Sequence, residues 1–146
     1  MNGGYEVADV WRAGGRGFSM AKVAPRGRLV HLTGQVAWDA GEAIVCPGDV
    51  EGQTRRCFEN IRRLLLPVGG RLDDLVDTTT WLLAAEDLPA VQRVRDDLRL
   101  VDPPCSTSVV VAALGHPDFL VEITAVAVVP PERFKEPQPD AAGPFA

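Results

Sequence analysis

The amino-acid sequence predicts an α+β fold, with one mixed six-stranded sheet and two helices on one face of that sheet. Two amphipathic helical segments each lie between β-type segments, a pattern that favours helical crossovers within one sheet. Six segments have the alternating or β-branched composition of strands. The length of 146 residues suits one domain. The predicted order of elements is β-β-β-α-β-α-β-β.

Composition and charge argue against nucleic acid, a metal ion or a membrane as a partner. With 20 acidic and 15 basic residues, the formal net charge is −5, which argues against nucleic acid as a partner. Three cysteines without a CxxC pair and only two histidines predict no metal site, and no sequence motif points to a cofactor. No apolar run has the length of a membrane span and no signal peptide is recognisable, so we expect a cytoplasmic protein without a membrane partner.

The first three predicted strands lie in the N-terminal third of the chain. Residues 5–11 alternate between the two faces of a strand, with Tyr5, Val7 and Trp11 on one of them. Residues 18–23 and 28–37 flank the turn sequence Ala-Pro-Arg-Gly, which predicts a hairpin.

Two helices and three further strands follow. Asp49 is the predicted N-cap of the first helix, whose apolar residues recur at three- and four-residue steps until Gly69. The other predicted elements are a buried strand at 75–85, a helix at 87–100, and strands at 106–114 and 119–129. We assign residues 1–129 to the domain and residues 130–146, rich in Pro, Ala and Asp, to a loose tail.

The last predicted strand is apolar on both faces. Val121 and Ile123 alternate with residues such as Val126 and Val128 on the opposite face. A single layer of helices covers only one face of a sheet, so self-association through the open face is expected.

Several motifs recur in a fixed order between residues 18 and 129. They are FSMAK at 18–22, VHLTGQV at 30–36, a helix with Gln53 and Asn60, the segment 70–79 with Asp74, and VEITA at 121–125. Together, in this order and at these spacings, they resemble the Rid family (YjgF-like, reactive intermediate deaminase, UK114-type). The resemblance implies a chorismate-mutase-like fold and a homotrimer with a central β-barrel. It also implies small-molecule clefts between neighbouring subunits.

Ser106 stands where the resemblance implies a carboxylate-binding arginine. An arginine offers a charged bidentate fork, whereas a serine offers one neutral donor. Losing such a charge-assisted pair costs about 2–5 kcal/mol of binding. The sequence therefore argues against ordinary 2-imino acid hydrolysis. The alternative is that residues 105–108 are only the polar start of a strand. We assign Arg93 and Arg95, on the second predicted helix, to the solvated surface.

Glu122 is the only charged residue of its apolar strand. A carboxylate in apolar surroundings suits proton transfer, so Glu122 is the candidate acid/base and Ser106 its candidate catalytic partner. The alternative role for Glu122 is structural, as an acceptor of hydrogen bonds across a subunit interface.

The remaining candidates form a predicted substrate-binding set. Phe18 replaces the tyrosine of the family motif and would make the cleft more apolar. For Gly34 a β-bulge is the alternative interpretation, and for Cys105 an inert small residue. The full set is Phe18, Met20, Thr33, Gly34, Gln35, Gln92, Cys105, Thr107 and Ser108.

The predicted function is that of a Rid-family homotrimer acting on an apolar or aromatic enamine- or imine-like intermediate. Tautomerisation, cyclisation, hydration and hydrolysis all fit the predicted groups. The alternative is a regulatory trimer that binds a small molecule without chemistry. Weaker alternatives are an enamine/imine deaminase with a relocated anchor and an endoribonuclease.

Overall fold

The computed structural model describes residues 3–138, which form an α+β structure as predicted. Short 3₁₀ turns at Leu66–Val68, Leu72–Asp74 and Ala85–Asp87 connect the larger elements. The strands and helices in chain order are β1 (Gly4–Tyr5), β2 (Ala21–Lys22), β3 (Arg28–Gln35), α1 (Val50–Leu65), β4 (Leu75–Leu82), α2 (Leu88–Leu98), β5 (Cys105–Val110) and β6 (Val121–Val129).

The main sheet has four strands in the order β3-β6-β4-β5. The β3–β6 and β6–β4 pairs are antiparallel, whereas β4 and β5 are parallel and joined through α2. Two parallel neighbouring strands need a crossover of this kind, because a tight turn between consecutive strands makes them antiparallel. The prediction of a mixed sheet with helical crossovers is confirmed.

The prediction of a single six-stranded sheet is wrong for the described residues. β1 and β2 pair only with each other, in a separate two-stranded sheet. Instead of a strand over 5–11, the chain leaves β1 after two residues and turns, and the Ala13 N–H donates to the Glu6 carboxylate at 3.0 Å. Gly14, Gly15 and Gly17 have φ between +61° and +78°, a conformation that interrupts any strand there. We call residues 6–18 the arm.

Helix α1 begins as predicted, because the Asp49 carboxylate accepts the Gly52 N–H at 3.0 Å. Its apolar face packs with α2 on the sheet, and this layer forms the core. Gly69, with φ of +76°, ends the turn that follows. The core comprises Cys57, Phe58, Ile61, Leu65, Leu75, Leu82, Val91, Val94, Val121, Ile123, Ala125 and Ala127.

Two polar residues of the recurring motifs hold connections in place. The buried Gln53 amide donates to the Asp118 carbonyl at 3.0 Å and accepts the Leu120 N–H at 2.9 Å, which fixes the entry into β6. The Asn60 amide donates at 3.1 Å to the carbonyls of Val36 and Trp38, just after β3. These motif residues therefore shape the fold.

The two faces of the main sheet differ. Val121 and Ile123 are fully buried under the helices. The alternate residues, Glu122 and Thr124, are half-buried on the open face, where the Trp81 indole donates to Thr124 Oγ1 at 3.0 Å. In the described part of the chain, neither helix has the length and apolarity needed to cross a membrane.

A nearly buried ion pair joins the N-terminal residues to the loop between α2 and β5. Lys22 Nζ lies 3.0 Å from the Asp102 carboxylate, and the Lys22 side chain is only 3% exposed. The same carboxylate accepts the Gly3 N–H at 2.9 Å and the Gly4 N–H at 3.3 Å. Burial opposes ionisation of Asp102, but the Gly3 N–H and Lys22 outweigh it and hold the pKa of this carboxyl below its ordinary value.

Residues after β6 return to the body of the domain. The Arg133 guanidinium donates to the Asp74 carboxylate at 2.9 Å, and the Lys135 N–H donates to the Val68 carbonyl at 3.1 Å. The predicted loose tail begins in this segment, and its residues 139–146 lie outside the described residues.

Substituting Asp102 with asparagine should lower the free energy of unfolding at pH 7 by about 2 kcal/mol, because Lys22 then stays buried without a counter-charge. Since the folded-state pKa of Asp102 is depressed, its contribution is present above the ordinary aspartate pKa and is lost as pH falls below about 4. Urea unfolding at pH 7 and at pH 3.5 measures the free energy of unfolding of the variant and the parent. The difference between the two proteins should be smaller at pH 3.5 than at pH 7.

Asp97→Asn is the matched control, because Asp97 pairs with Arg55 on the exposed surface. Its effect at pH 7 should stay within about 1 kcal/mol. Equal effects of the two substitutions at pH 7 would contradict a stabilising role for the Lys22–Asp102 pair.

Candidate small-molecule site

A cleft of about 630 Å³ lies on the helix-covered side of the β5 edge, between the arm, α2 and β5. It combines aromatic walls with two serine hydroxyls and two guanidinium groups. Arginine supplies every charged group in its lining. The lining residues are Trp11, Arg16, Phe18, Ala85, Leu88, Pro89, Gln92, Arg95, Ser106 and Ser108. We call this space the arm–α2 cleft.

Arg95 reaches the floor of the cleft from α2. Its side chain is mostly buried, and Nη2 donates to Thr80 Oγ1 at 2.9 Å and to Ser108 Oγ at 3.1 Å. Burial lowers the pKa of Arg95 from its ordinary value, and the neighbouring Asp96 opposes this. An arginine stays charged at neutral pH even so, hence the cleft holds a positive charge. The assignment of Arg95 to the solvated surface is therefore wrong.

Ser106 lies on the same face of β5 as Ser108, the residue that accepts from Arg95, and it lines the same cleft. Among residues 3–138, its hydroxyl is the only buried side-chain nitrogen or oxygen without a hydrogen-bond partner. A buried polar group usually has a partner, since leaving it unpaired costs about 1–3 kcal/mol. A ligand in the cleft would supply that partner.

The arm forms the outer wall of the cleft. The Arg16 guanidinium lies 5.4 Å from the ring centroid of Trp11 and 5.6 Å from that of Phe18, so it holds both rings together. Arg16 Nε also donates to the Ala13 carbonyl at 2.6 Å. A Cβ on Gly17 would lie 3.3 Å from the Cβ of Arg95, so the arm approaches α2 closely at this glycine. The φ angle of Gly17 is +72°, in the left-handed region.

Gln92 joins the arm to α2. Its side-chain amide donates to the Arg16 carbonyl and, at 2.9 Å, to the Asp96 carboxylate. Both amide hydrogens are engaged within the protein, which gives Gln92 a positioning role for the arm. Its side-chain oxygen remains the group that a ligand could contact.

Glu122 lies on the opposite face of the sheet from the arm–α2 cleft. In the register it pairs with Trp81, whose indole is on the open face. A Cβ on Gly34 would lie 2.9 Å from Glu122 Oε1, so the glycine leaves room for the carboxylate. The register between β3 and β6 shifts between Leu32 and Gln35, so a β-bulge and a close approach to Glu122 occur together at Gly34.

The structure thus divides the predicted site residues between several places. Phe18, Gln92, Ser106 and Ser108 surround the arm–α2 cleft, whereas Gly34 and Glu122 share the open face.

The other five predicted residues lie elsewhere. Met20 lines a smaller cavity of about 210 Å³ beside β1. Thr33 and Gln35 flank Gly34, and the Gln35 amide donates to the Thr33 carbonyl at 2.9 Å. Strand alternation directs Cys105 and Thr107 away from the cleft. Burial and the nearby Asp77 raise the pKa of the Cys105 thiol, which disfavours the nucleophilic thiolate.

Sequence reasoning missed Arg95 and Trp11. Arg95 follows Val91 by four residues and Val94 by one, so the helical periodicity already placed it at the border of the buried face. Trp11 gave no such signal, because its segment was interpreted as a strand.

Replacing Gly34 by alanine should displace the Glu122 carboxylate at a cost of about 1 kcal/mol or less in unfolding free energy, because the group that must move is the end of a flexible side chain. Carboxyl ¹³C chemical shifts should record the displacement, and urea unfolding the stability. In Gly27→Ala, by contrast, a Cβ would lie 2.3 Å from the Val129 carbonyl oxygen. That backbone clash should cost about 1–3 kcal/mol. An unshifted Glu122 carboxyl resonance in Gly34→Ala would contradict the close approach of Gly34 to the Glu122 carboxylate.

Comparison with known proteins gives a consistent result. The sequence model of a family described as Endoribonuclease L-PSP matches residues 16–129. A RutC family protein of Pyrococcus abyssi is 30% identical over 101 residues, which are 69% of this chain and 79% of the relative. The 3-aminoacrylate deaminase RutC of Acinetobacter baylyi is 33% identical over the same shares.

Solved structures agree with the sequence comparisons. The Rid-family protein YyfB of Yersinia pestis superimposes with a TM-score of 0.79 at 28% identity, over 86% of this chain and 97% of that protein. A YjgF/YER057c/UK114 family member of Mycobacterium tuberculosis gives a TM-score of 0.62 at 28% identity, over 72% and 82% of the two chains.

Proposed function

The chain belongs to the Rid (YjgF-like) family, and on that premise we propose that it is a homotrimer whose clefts between subunits transform a small enamine- or imine-like molecule. One observation carries the proposal: the arm–α2 cleft and the Glu122 carboxylate lie on opposite faces of one sheet. A single copy cannot bring these groups onto one ligand, whereas a neighbouring copy can supply Glu122 to the cleft.

The two surfaces also suit a closed ring. The arm–α2 cleft borders β5, at one edge of the main sheet, and Glu122 lies beside β3, at the other edge. Contact between two different surfaces of identical chains is head-to-tail, and a ring is its closed form. Leu29 on β3 and Val110 on β5 are more than half exposed, so each edge offers apolar area to bury.

Proton transfer is the chemistry that we assign to Glu122. This half-buried carboxylate forms no hydrogen bond or ion pair with other residues in the range 3–138, and Gly34 leaves space beside it. It would pass a proton between the nitrogen and carbon of an enamine to give the imine, then orient the attacking water. The imine takes up one water and releases one ammonia, leaving a carbonyl compound without a change of redox state. The deaminase relative is named for 3-aminoacrylate, which is such an enamine.

The walls of the cleft favour a ligand with an apolar or aromatic body. Trp11 and Phe18 form one side, and Leu88 and Pro89 at the start of α2 form another. Apolar walls with a few convergent polar groups are typical of small-molecule sites. The polar groups here are those of Arg95, Ser106 and Ser108, which include hydrogen-bond donors for a polar group of the ligand.

Glu122→Gln tests the catalytic role. The serine at position 106 argued against 2-imino acids as substrates, but Arg95 brings a positive charge into the cleft from α2. Imines generated in situ from phenylalanine, leucine and alanine by an amino-acid oxidase should therefore be hydrolysed faster with the protein than without it. The glutamine variant should lose about 10²-fold of that acceleration, because an amide cannot take up the proton. The rate is followed by trapping residual imine with semicarbazide, and binding of the carbonyl product is measured in parallel by calorimetry.

The matched control is Glu86→Gln, which removes an exposed carboxylate from the turn before α2 and should leave the rate unchanged. Sedimentation equilibrium should give the mass of three chains. A monomer at micromolar concentration would contradict the shared cleft. Full activity of Glu122→Gln would contradict the acid/base role. Product binding without any acceleration by the parent protein would favour a binding protein instead.

A further inference from the structure

We propose that Arg95 holds the anionic end of the ligand in this chain, and that the ligand class is an aromatic or large apolar molecule carrying one small oxyanion, such as a carboxylate. Ser106 occupies the position at which the resemblance implies an arginine, and the charge reaches the cleft from α2 instead. The inference deepens the proposed function and rests on the arm–α2 cleft being the ligand site.

The Arg95 guanidinium carries its charge into a largely buried position. Its side chain is 8% exposed, yet among residues 3–138 it forms no ion pair, and its hydrogen-bond partners are the neutral hydroxyls of Thr80 and Ser108. Charged side chains are rarely buried unless an opposite charge accompanies them, because desolvation is costly. A bound oxyanion would provide the missing opposite charge.

Several polar atoms that border the cleft have no hydrogen-bond partner among residues 3–138. A guanidinium has five N–H donors, and the two bonds to Thr80 and Ser108 both come from Nη2. Nε and Nη1 have no acceptor among the described residues. The Ser106 hydroxyl, which lines the same cleft, is buried and also has no partner. An acceptor with two oxygens in the cleft would have unpaired donors available from both α2 and β5.

Every charged residue in the lining of the arm–α2 cleft is an arginine. Arg16 and Arg95 both border the cleft, and its ten lining residues include no aspartate or glutamate. The chain as a whole carries a formal charge of −5. The lining of the cleft therefore carries a positive charge on an acidic protein and attracts an anion, while the nearby Asp96 carboxylate, bonded to Gln92, reduces that attraction.

The short side chain at position 106 fits the same interpretation. Ser106 and Ser108 lie on the face of β5 that borders the cleft, and Ser108 accepts from Arg95. An arginine at 106 would place a second guanidinium in the same cleft as Arg95, where two like charges repel. A serine avoids that repulsion and adds one donor.

Calorimetry on the native assembled protein with three probes tests the inference. Phenylacetate carries both the ring and the charge, phenylacetamide lacks the charge, and acetate lacks the ring. We expect phenylacetate to bind about tenfold or more tightly than either of the others. Arg95→Gln should weaken phenylacetate binding about tenfold or more and leave phenylacetamide nearly unchanged. Inorganic phosphate as a fourth probe distinguishes a carboxylate site from a phosphate site.

Two further variants keep the test decisive if Arg95→Gln does not fold. Ser106→Ala removes an unpartnered hydroxyl, so it should leave the unfolding temperature unchanged or higher while it weakens phenylacetate binding severalfold. Trp11→Ala should weaken phenylacetate and phenylacetamide equally. Arg93→Gln is the matched control on the same helix, since Arg93 is exposed and paired with Glu51 at 3.2 Å. Its affinities should equal those of the parent.

The outcomes separate this inference from the proposed function. Equal affinity for phenylacetate and phenylacetamide in the parent protein, or retention of the preference in Arg95→Gln, overturns the role of Arg95 even if Glu122 proves catalytic. Undiminished phenylacetate affinity in Ser106→Ala overturns the assignment of the Ser106 hydroxyl to the same anion. Stronger binding of phosphate than of phenylacetate overturns the carboxylate class. An Arg95-dependent preference in a protein without imine turnover supports the anion site and overturns the proposed chemistry.

Discussion

The alternation of side chains across the four-stranded sheet is the constraint on which the arrangement of this protein depends. Both helices lie on one face, so Val121 and Ile123 enter the core while Glu122 between them reaches the open face. On β5 the same alternation directs Ser106 and Ser108 towards α2. Because successive residues of a strand point to opposite faces, a single chain keeps its candidate acid/base apart from its positive cleft. Assembly is the proposed way to reunite them.

The arm is the second determinant of the site. It lies largely before residue 16, where the family match begins, and it supplies the aromatic wall of the cleft. Its position depends on contacts distant in sequence: the Asp102 carboxylate accepts the Gly3 and Gly4 N–H groups just before the arm, and the Gln92 amide donates to the Arg16 carbonyl near its other end. The ligand specificity that we propose therefore depends on the arm, whose backbone is held by a few hydrogen bonds. The floor of the cleft, by contrast, is fixed by the main sheet.

Much of the fold and part of the site could be predicted from residue patterns. The N-cap at Asp49, the apolar faces of both helices and the strands β3 to β6 all have local signals that the structure bears out. The six-stranded sheet was wrong, because alternation within residues 5–11 says nothing about whether a neighbouring strand is available to pair with them. The positive charge in the cleft was missed for a related reason. An arginine on an amphipathic helix has a stem long enough to reach either solvent or the sheet.

The sequence by itself determined the family, the order of the main elements and the absence of an arginine at position 106. Those properties follow from local periodicity and from motif spacing, which can be recognised from the order of residues along the chain alone. Only the tertiary structure decided that Arg95 turns inward to Thr80 and Ser108, that Ser106 is left without a partner, and that the arm covers them. The physical reason is that burial and pairing of a polar group depend on residues far away in the chain, whose approach no local pattern records.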